Sequence, residues 1–193
     1  MLAPGVALSG SLGNIYWIPT FVKRLSGISD QRVTWLLIVP ALIGIAGMLV
    51  NGWHSDKSAE RRLHTAIPLI VAGSLYGLVI PARHNFALAT SLLLLGSGFF
   101  YAFLPVFWSM PTMILSESAA AATVGLINSI GQLGGFAGPY VIGFLNDRTH
   151  SLTASFGFIA LVYVAAASLI LSLRIRDPLQ ASQARNEGLY FIE

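Results

Sequence analysis

Two side chains able to hydrogen-bond a solute, Asn128 and Gln132, stand four residues apart in the uncharged stretch 118–146. On a helix, positions i and i+4 share a face, and at ~100° per residue Gly125 and Gly135 fall in the same sector. Amides in hydrocarbon must find partners, so the pair either lines a water-filled cavity or bonds a neighbouring helix. A second group is the run Asp56, Lys57, Glu60, Arg61, Arg62, which follows Gly52. Gly52 lets a neighbouring backbone approach the helix end closely. Asp56 can accept hydrogen bonds from the free N–H groups at another helix's N-terminus, where the dipole favours an anion. Arg61 and Arg62 can pair with carboxylates or lipid phosphates. Such a run is either a latch that holds one conformation and releases in another, or a charged loop that fixes topology. Asn14, on one face with Gly10 and Trp17, and the rings of Tyr16 and Tyr101 are further candidates for solute contact. Their alternatives are plain packing and an interfacial aromatic belt.

No Asp, Glu, Lys, Arg or His falls in the middle of any apolar stretch. Proton coupling requires a titratable group inside the membrane, so a proton-carrying carboxylate would have to come from outside this sequence. The four histidines, His54, His64, His84 and His150, lie at stretch ends or in loops without metal-ligand spacing, so neither metal nor cofactor is expected. The absence of cysteine excludes disulfides, thiolate metal sites and a Cys nucleophile. Gly96-Ser97-Gly98 suggests a membrane serine protease, but that chemistry needs an intramembrane His base, and none is available. An enzyme is not expected.

The elements that must position these residues are membrane helices. Only 10% of residues are charged, 55% are hydrophobic, and the mean hydropathy is +0.72, where soluble domains carry roughly 25% charge. The formal charge of +3 sits in loops and tails, so nucleic acid is not an expected partner. Residues 33–53 carry no charge, and ~20 apolar residues cross the ~30 Å hydrocarbon core. Charges divide the chain into spans expected at 1–22, 33–53, 65–82, 86–108, 118–146 and 149–173, with a polar tail at 179–193. Continuous apolar runs fit helices better than the ~10-residue alternating segments of barrel strands. The window from Phe86 to Ser116 is too long for a simple crossing, so its span is expected to end near Trp108, with an interfacial segment beginning at Met110-Pro111. Pro139 is expected to bend the fifth helix, with neighbours satisfying the freed carbonyl. The sequence therefore predicts an all-α membrane protein of six transmembrane helices. No basic region precedes the first apolar run, so a secretory signal is not expected. Basic residues divide almost evenly between the two sides; the cluster at 57–62 favours the cytoplasm for that hairpin and for both termini.

The pattern Gly52-x-x-x-Asp56-Lys57-x-Ala59-Glu60-Arg61-Arg62 resembles the cytoplasmic loop signature of the major facilitator superfamily, found between the second and third helix of each six-helix half. It departs at Ala59, where glycine is usual, and at Glu60, where a base is usual. Phe107-Trp108-Ser109-Met110-Pro111-Thr112, Leu126 to Phe136, Gly138-Pro139-Tyr140 and Gly143 resemble the last three helices of its anion:cation symporter family of tartrate-, phthalate- and sugar-acid-type permeases. Tyr16-Trp17-Ile18-Pro19 and Leu25 to Ser29 resemble the end of the seventh helix and the loop after it.

The resemblance implies a C-terminal bundle, with an N-terminal six-helix bundle as its missing partner. It implies proton-coupled symport of a small organic anion across the inner or plasma membrane, by rocking about a midplane site. Asn128 and Gln132, then Asn14, Tyr16 and Tyr101, would touch the anion, and Gly52, Asp56, Lys57, Arg61 and Arg62 would form the gate. The alternative is a six-helix permease or scaffold subunit that pairs with itself or with another chain.

Overall fold

The protein is described from a computed structural model covering residues 16–173. Helix α1 occupies 16–26. It is followed by α2 (Asp30–Leu36), α3 (Ile38–Ser58), α4 (Arg62–Ala82), α5 (Phe86–Tyr101), α6 (Leu104–Ile114), α7 (Glu117–Thr149) and α8 (Leu152–Ser172). No strand occurs among the described residues. Among the described residues, four helical runs are long and apolar enough to cross a membrane: Asp30–Ser58, Arg62–Ala82, Phe86–Met113 and Leu152–Ser172. With 33 residues α7 has the length as well, but its glycines, serines and amides make it less apolar. The chain is an all-α membrane protein.

Prolines set the two interruptions. Pro40 stands in the first turn of α3, and its missing N–H and bulky ring separate α2 from α3 at Leu37. Pro105 does the same to the next long helix, which breaks at Ala102-Phe103. This corrects the sequence expectation: the helix does not end near Trp108 but runs through Met110 and Pro111 to Ile114. Pro105, in the first turn of α6, takes the break, and Pro111 is carried inside the continuous helix. Trp35 and Trp53, 66% and 64% exposed, stand about 27 Å apart at ~1.5 Å per residue, close to the hydrocarbon thickness. They suit interfacial anchors.

The core lies among α4, α5 and α8. Leu69, Tyr76, Leu93, Phe156, Ile159 and Tyr163 are fully buried. Lipid is as apolar as leucine, so such helices associate by close packing and interhelical hydrogen bonds. Both are present. Gly73 brings α4 against α8, where a Cβ would stand 3.1 Å from the Ala160 carbonyl oxygen. The Tyr76 and Ser97 hydroxyls share a buried 2.7 Å hydrogen bond between α4 and α5, and Ser97 also donates to the Leu93 carbonyl. Phe100 stacks on Tyr163 with ring centroids 5.0 Å apart, and Phe21 brings α1 onto Phe156 at 4.9 Å. Helices α3 and α7 bury a smaller share of their residues. Only Pro40, Gly44 and Ser55 of α3 are buried. On α7 the buried set is the single stripe Ala120, Ile127, Gly131, Gly135, Gly138, Ile142 and Asn146.

Candidate functional site

The charged hairpin between α3 and α4 is a folded structure. Ala59 closes α3 in the left-handed conformation, with φ 53°, where a Cβ is penalised and glycine is the common choice. Ser55, fully buried, donates to the Glu60 carbonyl at 2.8 Å and accepts from Arg61 Nη1 at 2.9 Å. The same Arg61 nitrogen lies 2.6 Å from Asp56 Oδ1, with the Asp56 side chain 72% exposed and that of Arg61 16%. Arg62 donates to the Leu171 carbonyl, tying the hairpin to the C-terminal end of α8, where the helix dipole favours a cation. The Lys57 ammonium sits 5.3 Å from the centre of the Trp53 ring. Next to Gly52 the nearest atom among the described residues is a Pro105 ring carbon, 3.9 Å from where a Cβ would be. That is ordinary contact and not a close backbone approach. Replacing Ala59 by glycine should relieve the left-handed strain and stabilise the protein by about 1 kcal/mol, read as a rise in melting temperature in detergent. An unchanged melting temperature would mean the turn carries no strain.

Glu60, the departure from the loop signature, has a local task. Its carboxylate accepts from the Leu63 amide at 2.8 and 2.9 Å and from the His64 amide at 3.3 Å, so it caps α4. Burial pushes its pKa up, but hydrogen bonds from the Leu63 amide and from the His64 ring and amide, with the charge of His64, outweigh this and hold it below the usual carboxylate range. His64 Nδ1 lies 3.1 Å from Glu60, and His64 Nε2 lies 2.5 Å from His54 Nδ1. The loop thus contains a carboxylate–imidazole–imidazole chain.

Asn128 and Gln132 are both exposed on α7, and Gln132 adjoins Leu133, the central residue of that helix. At ~100° per residue, Ser118, Gly125, Asn128, Ser129, Gln132 and Gly143 fall in one sector beside the buried stripe. Leu126, Leu133, Tyr140 and Phe144, all exposed, fall in the next. Phe136, 79% exposed, falls in the same sector as the amides, so the helix has a packed edge, an open edge that mixes the amides with Phe136, and an apolar open edge. Helix α1 docks beside the polar sector: Trp17 Nε1 donates to the Pro139 carbonyl at 3.2 Å, and Arg24 to Asn146 Oδ1 at 2.7 Å.

Tyr101 lies elsewhere, on the far side of α1. Its ring rests on Gly44, the central residue of Asp30–Ser58, and a Cβ there would come within 3.0 Å of it. Together with Pro19, Pro40, Ala41 and Met48 they line a pocket of about 330 Å³. Tyr16 is 68% exposed on α1; Asn14 lies outside the described residues. The expected solute residues are therefore split, with the two amides on α7, Tyr101 in the pocket and Tyr16 on the helix between.

Asn51 is a residue that sequence reasoning passed over. Its Nδ2 donates to the His64 carbonyl at 2.7 Å and to the Ala102 carbonyl at 2.8 Å, pinning the α5–α6 break and the start of α4 to α3. An amide near the end of an otherwise apolar window was the available signal.

A family model described as Major Facilitator Superfamily matches residues 2–190. The chain is 35% identical over 178 residues to a protein of Agrobacterium vitis named "Putative tartrate transporter", covering 89% of this chain and 41% of the relative. It is 34% identical over 167 residues to the "Inner membrane transport protein RhmT" of Escherichia coli, covering 84% and 38%. It is 30% identical over 177 residues to the "Quinolone resistance transporter" of Acinetobacter baumannii, covering 88% and 39%. The chain spans about two fifths of the length of the curated relatives it matches.

Proposed function

Because this chain belongs to the Major Facilitator Superfamily, we propose that it is the C-terminal six-helix bundle of a transporter that carries a small organic anion by alternating access. A second six-helix bundle faces it across a site at mid-membrane depth. The observation that carries this reading is the pair of amides on the open edge of α7, Asn128 and Gln132, exposed near the helix centre. Amides held at that depth need water, solute or another bundle as partners. No charged residue stands in the middle of a span here, so the cation that binds the anion's carboxylate and the carboxylate that carries a proton belong to the opposing bundle. Asp56, Lys57, Arg61 and Arg62 gate the cycle at the hairpin end, which lies in the cytoplasm with both termini, and the whole sits in the inner or plasma membrane. The names of the tartrate and RhmT relatives support transport as the class of activity.

The test is uptake by the complete twelve-helix protein across a panel of organic acids, with Asn128→Ala beside the parent. Losing one hydrogen bond to a charged solute, worth about 1.5–3 kcal/mol, should raise the half-saturation concentration about tenfold or more while membrane abundance holds. Unchanged affinity and rate would remove Asn128 from the site.

A further inference from the structure

We propose that the pocket around Tyr101 receives the apolar, ring-sized body of the transported anion, so that the substrate is an aromatic or otherwise mostly apolar carboxylate and not a polyhydroxylated one. The inference rests on the reading above that this wall borders the route, and it narrows the substrate within that reading. Three observations support it.

The first is depth. Gly44 is the central residue of Asp30–Ser58, and Tyr101 adjoins the centre of Phe86–Met113, so the pocket sits midway across the membrane on two independent helices. Substrate sites between transporter bundles lie near that plane. The second is position on the wall. On α1, Trp17 and Arg24 point to α7, Pro19 points to the pocket, and exposed Tyr16 falls between them at ~100° per residue. The pocket and the amide edge of α7 therefore flank one open face of α1. The third is chemistry. An open pocket of about 330 Å³ is lined by, among others, the rings of Pro19 and Pro40, the small residues Ala41 and Gly44, Met48 and Tyr101. Among the described residues, the Tyr101 hydroxyl is the one polar side-chain group in that lining. A sugar acid placed there would strand most of its hydroxyls without partners, which a buried polar group tolerates poorly. A flat apolar ring would lose nothing and would gain contact with two prolines, a thioether and a tyrosine. Its carboxylate would then project out of the pocket, toward the cation expected on the opposing bundle.

The experiment measures uptake by the complete protein of benzoate, 4-hydroxybenzoate, tartrate and galactonate. It is repeated for Ala41→Phe, which fills the pocket, and for Leu49→Phe, whose position on the same helix is 70% exposed and outside the lining. Aromatic acids should be carried, and Ala41→Phe should raise their half-saturation concentration at least tenfold at equal membrane abundance, with Leu49→Phe unchanged. Uptake of tartrate or galactonate with no competition from the aromatic acids would overturn the substrate assignment while leaving anion transport intact. Aromatic uptake indifferent to Ala41→Phe would mean that a lipid tail or a side chain of the opposing bundle fills the pocket, and it too overturns the proposal. Should no acid in the panel be carried, the reading as an anion transporter falls first and takes this inference with it. If Ala41→Phe reaches the membrane poorly, Met48→Phe provides the same filling from the same helix face.

Discussion

Gly98→Ala should lower the melting temperature of the detergent-solubilised protein by several degrees. A Cβ at Gly98 would stand 2.6 Å from both Cβ and Cγ2 of Ile43 and 3.1 Å from the Pro40 carbonyl oxygen. Ile43 is branched at the contact, so it cannot swing aside as the tip of a long side chain would. The Pro40 carbonyl is backbone at the start of α3 and equally fixed. Helices α3 and α5 must separate, and overpacking of this kind costs about 1–3 kcal/mol, or roughly 2–12 °C for a domain of this size at about 2–4 °C per kcal/mol. Because few residues of α3 are buried at all, the loss should be felt first as detachment of that helix, read by hydrogen exchange over 38–58. Gly125→Ala is the control, since nothing lies within 4 Å of a Cβ there. Equal melting temperatures for the two variants would show that α3 is not held by its contact with α5.

Asp56→Asn should leave the fold intact and slow the transport cycle about tenfold, equivalent to ~1.4 kcal/mol on the barrier. Stability is spared because the Asp56–Arg61 ion pair is mostly exposed on the Asp56 side, and such pairs contribute about 0–1 kcal/mol. Arg61 also keeps its bond to buried Ser55. The loop's cations are committed, Arg61 to Ser55 and Asp56, Arg62 to the end of α8, Lys57 to the Trp53 ring. Asp56 is the charged group with an open side, and therefore the one that can reach a helix end on an opposing bundle. Losing its charge should change the maximal rate of uptake while the half-saturation concentration stays within about twofold. A pure loss of affinity would remove Asp56 from the gate.

The all-helical membrane architecture was legible from charge spacing, because charges are excluded from the bilayer and so mark where spans stop. The Asp56-to-Arg62 hairpin was legible from its signature. Its departures from the pattern became intelligible only in three dimensions: Glu60 caps α4, and Ala59 takes a left-handed turn. The position of the break in the third long helix was misplaced. Pro105 and Pro111 look alike in sequence; in the structure the interrupted turn is the one whose freed Ala102 carbonyl finds a partner in Asn51. The amide edge of α7 followed from i, i+4 spacing. The pocket did not, because it is assembled from α1, α3 and one ring of α5, and no local pattern announces such a meeting.

Most residues that lock the bundle together lie on other helices than those lining the pocket and the amide edge, with Tyr101 of α5 and Phe21 of α1 as the exceptions. Tyr76, Ser97, Phe156 and Tyr163 join α4, α5 and α8, whereas the amide edge and most of the pocket lie on α1, α3 and α7. Under the function proposed above, cargo preference can drift across a lineage without each change endangering assembly: a new ring or amide on that wall leaves most of the keel untouched.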